Sequence, residues 1–336
     1  MKNLYNYKME DMENIFTYMG EKKYKATQVF EWLYIKRVKD IDEFSNIKKE
    51  VREKLKIEYT TSLISIIKKE EDSLVKKYLF ELSDNEKVEA VLMMHDYGLS
   101  VCVSSQVGCN MGCKFCESGR LKKIRNLETY EMVEQILLIE EDINKRIDSV
   151  VIMGIGEPFD NYDNVMNFIS IINHPKGLGI GARHITVSTC GLVPKINEFS
   201  NFPLQVNLAL SLHAPSDQIR NKIMPISKVY PIDMVIDSVK NYIKKTNRRV
   251  TIEYVMLKGV NDSMDNAIEL ANLLRGMNVY VNLIPYNETK NIEYKKSDNV
   301  KKFQDKLLSL GINTTVRKEF GSKISAACGQ LRSKEV

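Results

Sequence analysis

From about residue 100 onward the chain repeats one pattern: a short apolar run, a loop, then an amphipathic helical stretch. The runs are Ser100–Ser104, Ser149–Met153, His184–Ser188, Val206–Leu212, Val250–Leu257 and Val279–Ile284. Between them, Tyr130–Ile143, Tyr162–Ile172, Met234–Lys244 and Asn266–Leu274 place apolar residues at helical spacing. A strand that is followed by a helix returns to the sheet in parallel, so six such units predict an α/β fold with a parallel sheet, either doubly wound or an incomplete (β/α) barrel. Asn313–Val316 reads as an added edge strand.

Residues 1–90 read differently, as a smaller helical accessory region. Tyr24–Tyr34 puts Ala26, Val29, Phe30 and Leu33 on one helical face, and Ile47–Leu55 forms a second helix rich in Lys and Arg. Leu63–Ile67 and Tyr78–Leu82 look like strands joined by the charged segment Lys68–Asp72. The predicted division is thus 1–90, a partial barrel over 95–320, and a C-terminal segment over 321–336. With 43% hydrophobic and 28% charged residues, wholesale disorder and fibrous folds are excluded. No apolar stretch approaches the ~20 residues that a membrane-spanning helix needs, and Met1–Tyr18 has no apolar signal region. A cytoplasmic location is expected. The net charge of +5 is compatible with a nucleic-acid partner without demanding one.

The chemistry-bearing residues cluster at strand ends. Of six cysteines, Cys102, Cys109, Cys113 and Cys116 fall within fifteen residues, while Cys190 and Cys328 stand alone. Thiolates are soft ligands for zinc or iron–sulfur clusters. The Cys109-x-x-x-Cys113-x-x-Cys116 run supplies three thiols where structural zinc wants four ligands, which favours a cluster with one open position. Phe115 is placed to shield it. Strand two runs into Gly154-Ile155-Gly156-Glu157-Pro158, where Gly allows close approach and Glu157 can receive an ammonium group. Strand three ends at Ser188-Thr189, strand four at Ser211-Leu212-His213, and strand six is followed by Pro285-Tyr286-Asn287. Barrel active sites lie on such C-terminal strand ends.

The cysteine motif resembles that of the radical S-adenosylmethionine enzymes. Longer strings narrow the resemblance: Cys102-Val103-Ser104-Ser105-Gln106-Val107-Gly108-Cys109, Gly156-Glu157-Pro158, Ser211-Leu212-His213-Ala214-Pro215, Gly259-Val260-Asn261-Asp262-Ser263 and Ala326-Ala327-Cys328-Gly329-Gln330-Leu331. Over nearly its whole length the chain is similar to the RlmN/Cfr family of RNA adenine methyltransferases.

That resemblance implies an incomplete (β/α)6 radical S-adenosylmethionine barrel. It implies a [4Fe–4S] cluster on Cys109, Cys113 and Cys116, and two S-adenosylmethionine molecules per turnover. Gly156, Glu157, Ser188, Ser211, Leu212, His213 and Asn287 match the family's cofactor-binding positions. Cys328 matches the residue that carries the methyl group as S-methylcysteine, and Cys102 the thiol that resolves the protein–RNA adduct through a transient disulfide with Cys328. Glu89 matches the proton acceptor; read alone it is one carboxylate in a charged stretch. The implied partners are 23S rRNA, tRNA and an electron donor such as flavodoxin or ferredoxin, with no membrane. The implied product is 2-methyladenosine. Methylation at carbon 8, the Cfr activity, uses the same residues, so the motifs do not separate the two. A non-catalytic metal-bearing RNA-binding protein is the alternative of a different class. Arg120–Arg125, Lys244–Arg249 and Lys22, Lys23, Lys25, Lys36 and Arg37 are the candidate phosphate contacts. Glu117 and Ser325 depart from the family's usual residues.

Overall fold

The computed structural model describes residues 1–289, 292–318, 324 and 329–331. The chain opens with β1 (Lys2–Asn3), α1 (Met9–Tyr18), α2 (Tyr24–Tyr34), α3 (Lys49–Glu58) and β2 (Tyr59–Thr60), the two short strands pairing in parallel. Phe16, Val29, Phe30, Leu33 and Leu55 are fully buried and hold the three helices to the rest of the molecule. Helix α2 matches the sequence reading and α3 lies slightly later. Helix α1 was not legible, because only Met12 and Phe16 of its ten residues are buried among charged neighbours.

An antiparallel meander follows: β3 (Ser65–Asp72), β4 (Val75–Glu81), β5 (Lys87–His95) and β6 (Gly98–Cys102). The charged segment expected to be a linker is the outer half of β3. This is an edge strand, where charges are tolerated because one side is solvated. The cross-strand partners Glu70–Lys77 and Glu71–Lys76 neutralise them at 2.8 and 3.0 Å. The division expected near residue 90 falls inside β5, whose hydrogen bonds continue into β6 without a break.

After β6 come β7 (Gln106–Val107) and β8 (Arg125–Asn126), an antiparallel pair that brackets the cysteine loop. Then the β/α repeat follows: α4 (Thr129–Ile143), β9 (Ser149–Ile152), α5 (Tyr162–Asn173), β10 (Ile185–Thr189), α6 (Val193–Phe199), β11 (Asn207–Ser211), α7 (Asp217–Ile223), α8 (Ile232–Thr246), β12 (Val250–Met256), α9 (Met264–Leu274), β13 (Val279–Pro285), α10 (Val300–Ser309) and β14 (Thr314–Val316), with α6, α7 and α10 added to the four helices read from sequence. Strands β6, β9, β10, β11, β12, β13 and β14 pair in parallel in that order, with β5, β4 and β3 extending the sheet beyond β6. The sheet curls into a partial barrel, since Val91 of β5 and Arg317 just after β14 line one cavity although their strands lie far apart in sheet order. All C-terminal ends of the parallel strands therefore face the same way, and the predicted (β/α)6 architecture with an added seventh strand is the observed one. No described helix is long and apolar enough to cross a membrane.

Candidate active site

The cysteine loop is closed by its own backbone. The Cys109 N–H donates to Leu121 O at 3.0 Å, the Cys116 N–H to Cys113 O at 3.2 Å, and the Gly119 N–H to Cys116 O at 3.1 Å. Gly119 is required here by space: a Cβ on it would lie 2.6 Å from the Cys113 carbonyl oxygen and 2.8 Å from its nitrogen. The Lys114 N–H reaches Ile223 O at 2.9 Å, so the loop rests on the end of α7. Residues 329–331 dock on the loop as well, through Glu117 N–H to Gly329 O at 2.8 Å and Ser118 Oγ to Leu331 O at 2.7 Å.

Cys109, Cys113 and Cys116 line one wall of the barrel cavity together with Phe115. Burial pushes the Cys109 thiol up to about 12 and the Cys113 thiol well above its ordinary range. Buried thiols of this kind become thiolates when a cation offsets the desolvation, which iron does. Among the described residues, no three His, Cys, Asp or Glu side chains converge on a single metal ion. A four-iron cluster instead offers a separate iron to each thiolate, so three thiols spread along one wall fit it better than they fit zinc.

The facing wall is built by successive strand ends. Gly156 has φ +107°, and a Cβ there would sit 2.6 Å from Gln106 Cβ. This close approach lets Gln106 Oε1 accept the Glu157 N–H at 2.9 Å. Glu157 is nearly fully buried; its carboxylate accepts the N–H groups of Phe159 at 3.0 Å and Cys190 at 2.8 Å. Burial raises its pKa, and those donors partly offset the rise. Ser188 Oγ and Ser211 Oγ meet at 3.2 Å. His213 sits at φ +59° and its Nδ1 accepts the Val255 N–H at 3.0 Å, which turns the ring edge-on to Phe115 with centroids 4.9 Å apart. Burial, then the Arg220 charge, lowers the His213 pKa to about 3, so the imidazole is neutral.

Of the sequence-predicted residues, Gly156, Glu157, Ser188, Ser211, His213 and Asn287 all line this cavity, as does Cys102. Leu212 does not: its side chain is fully buried in the main core, and its N–H and carbonyl are bonded to Glu253 O and Arg220 Nε. Glu89 is also buried and lies off the cavity lining, but on the same face of β5 as Val91 and Met93, which do line it. Cys102 pairs in register with Val91, two positions along that strand. Cys328 lies outside the described residues, as do Ala326 and Ala327, while the adjacent Gly329 lines the cavity. Cys109, Cys113 and Cys190 carry free thiols.

Sequence reasoning missed three charged groups. Lys77 of β4 points its ammonium at Glu89, 3.4 Å away. Glu253 of β12 is buried in the cavity wall and held by both of its oxygens to Asn282 Nδ2, at 3.2 and 2.9 Å. A carboxylate inside the apolar run Val250–Leu257 was its only signal. Arg220 of α7 is completely buried, and nothing in the local pattern distinguished it from a surface residue of a short helix.

The predicted phosphate contacts divide. Arg125 is locked to Glu131 by two bonds of 2.7 Å and to Asp84 at 2.6 Å, and Lys123 to Asp160 at 2.7 Å. Arg248 donates to the carbonyls of Val206 and Leu204, Arg37 pairs with Glu140, and Lys25 is buried on Asn46 O. These hold the fold together. Lys122 remains exposed beside the cysteine loop, and Lys36 lies 3.5 Å over the Trp32 ring.

Comparison with known proteins adds names to this geometry. Residues 103–271 match the model of the radical SAM superfamily, and residues 2–60 that of a ribosomal RNA large subunit methyltransferase N-terminal domain. A protein of Spiroplasma citri called probable dual-specificity RNA methyltransferase RlmN is 50% identical over 338 aligned residues, covering 99% of this chain and 98% of its own length. An Acholeplasma laidlawii protein of the same name is 51% identical and covers 99% of each chain. The crystal structure of a radical SAM methyltransferase from Sphaerobacter thermophilus superposes with a TM-score of 0.93 at 38% identity, covering 99% of this chain and all of that one.

Proposed function

The chain belongs to the RlmN family of radical S-adenosylmethionine RNA methyltransferases, and on that footing we propose that it methylates carbon 2 of an adenine in 23S rRNA and in tRNA. The observation that carries this reading is the shared cavity: three loop thiols, Cys102 and the strand-end polar groups open onto one enclosure at the C-terminal mouth of the barrel. Carbon 2 of adenine is electrophilic, so polar methyl transfer from a sulfonium does not reach it and a radical route is needed. When bound on Cys109, Cys113 and Cys116, a [4Fe–4S] cluster supplies the electron for reductive cleavage of S-adenosylmethionine.

The chain's own residues then have separate tasks. Gly156, Glu157, Ser188, Ser211, His213 and Asn287 line the cofactor pocket. His213 does so as a neutral ring, while Leu212 is packed in the main core and lines no part of it. Cys328 carries the methyl group as S-methylcysteine and joins it to the RNA base. Cys102, on the cavity face of β6, releases the product by forming a transient disulfide with Cys328. Glu89 takes the ring proton as aromaticity returns. Two S-adenosylmethionine molecules are consumed per turnover, and a low-potential donor of the flavodoxin or ferredoxin type supplies the electron. A reducing cytoplasm suits this cycle, because the Cys102–Cys328 pair must be reduced each time.

The test is anaerobic incubation of reconstituted protein with S-adenosylmethionine, reductant and unmodified 23S rRNA fragment or tRNA, followed by nucleoside mass spectrometry. 2-Methyladenosine is the expected product. 8-Methyladenosine would assign the Cfr activity instead, and an absence of any product with colourless protein would reject both. Cys328→Ala should abolish methylation, and Cys102→Ala should accumulate protein cross-linked to RNA.

A further inference from the structure

Arg220 is the largest completely buried side chain of the described residues. Among the described residues its guanidinium donates only to main-chain carbonyls: Nη2 to Cys190 O at 2.6 Å, Nε to Leu212 O at 3.1 Å and Nη1 to Tyr230 O at 3.4 Å. It forms no ion pair with any described carboxylate. The carboxylate whose charge reaches it, Asp217, is bonded elsewhere: it accepts the Ser227 hydroxyl at 3.1 Å and the Ile232 N–H at 2.9 Å. A buried cation without a counter-anion is strongly destabilising, and natural interiors avoid it.

The anion it lacks is the one the neighbouring site would hold. Helix α7 supports the cysteine loop through the Lys114–Ile223 hydrogen bond, and Cys113 packs against the apolar cluster that Ile223 and Met224 at its end share with Phe115 and Cys190. Arg220 is close enough to Cys113 and Cys190 to favour their charged forms. A four-iron core held by three thiolates is a net anion, and one-electron reduction makes it more negative. We propose that Arg220 is the built-in countercharge of the cluster, favouring its uptake and its reduction. This rests on the cluster assignment of the preceding section. Arg220 acts through the cluster and touches no substrate, so it is a positioning and tuning residue.

The three carbonyl bonds and the charge can be separated by substitution. Arg220→Lys keeps the charge and loses the fork; Arg220→Gln keeps donors and loses the charge. The full chain of each is reconstituted anaerobically without RNA, its iron and sulfide measured, and its cluster titrated by EPR-monitored potentiometry. Arg220→Gln should disfavour reduction at least about tenfold, equivalent to about 59 mV for a one-electron couple, while Arg220→Lys stays within about threefold of wild type. A Gln variant that fails to take up the cluster while the Lys variant fills also supports the charge. Equal behaviour of the two variants, whether both normal or both defective, overturns it. Failure of the wild-type chain to bind a cluster would reject the cofactor assignment itself, which the iron measurement reveals before any titration.

Discussion

Lys77 Nζ lies 3.4 Å from Glu89 Oε1, both side chains being largely buried on the cavity-facing side of adjacent antiparallel strands. The same ammonium lies 2.8 Å from Glu70 on β3, so it bridges two carboxylates across three strands. In register, Lys77 pairs with Val91 and Val91 with Cys102, which places Lys77, Val91 and Cys102 in one row. Glu89 and Cys102, the residues proposed as proton acceptor and resolving thiol, are therefore neighbours on one sheet surface.

Removing Lys77 leaves Glu89 with a partly desolvated charge and one cation fewer, a change of the order of 3–5 kcal/mol where such a pair is fully buried and less here. Lys77→Met should lower kcat for RNA methylation at least tenfold with little change in iron content. Lys77→Arg should recover most of the loss. Equal activity of Lys77→Met and wild type in single-turnover assays would remove Lys77 from the site.

Gly119 has no room for a side chain against the Cys113 backbone. Gly119→Ala should displace the cysteine loop at a cost of about 1–3 kcal/mol. Reconstituted protein should then lose most of its iron and its charge-transfer absorbance. Full iron occupancy in this variant would show that the loop yields at small cost.

His213 connects the site to pH. Its pKa is held near 3 in the folded chain against 6.5 as the ordinary value. The unfolded chain therefore binds the extra proton between those values, and stability falls as the pH drops below 6.5 and is fully present above it. At pH 5.5 the loss from this group is about 1.4 kcal/mol. His213→Asn tolerates the left-handed backbone and keeps an acceptor for Val255 N–H. Its urea midpoint should vary less between pH 7.5 and 5.5 than that of wild type, and an identical slope would refute the assignment.

Asn6 fastens the N-terminal helices to the barrel. Its side chain donates to Glu128 at 2.7 Å and accepts the Tyr130 N–H at 2.8 Å, while its carbonyl accepts Asn167 Nδ2 at 2.6 Å. Asn6→Ala should cost about 1–2 kcal/mol and speed proteolytic cleavage between residues 59 and 65. Unchanged cleavage would locate the attachment in the apolar contacts alone.

Much of this was legible in the chain itself, for identifiable reasons. The β/α alternation stands out because parallel strands buried on both faces read as apolar runs, and each helix shows its core-facing stripe. The Cys109–Cys116 spacing is local, so it survives without any knowledge of the fold. Helix α1 and the outer half of β3 were not legible, since the first buries only two side chains and the second is an edge strand whose Glu70 and Glu71 are matched across β4 and whose Lys69 is matched by Asp142 of α4.

Sequence thus placed Gly156, Glu157, Ser188, Ser211 and His213 around one cavity, because parallel strand ends converge whatever the details of packing, but it missed Glu253 and put Leu212 there in error. What tertiary structure alone decided was the environment of charge. Lys77 and Glu89 are twelve positions apart, Arg220 and Cys113 more than a hundred, and no local pattern reveals that either pair is buried together. Nor does sequence show that Arg125 and Lys123, which look like phosphate contacts, are held by Glu131 and Asp160. A charge's role depends on its solvation and its nearest opposite charge, and both are properties of the folded sheet and not of the chain.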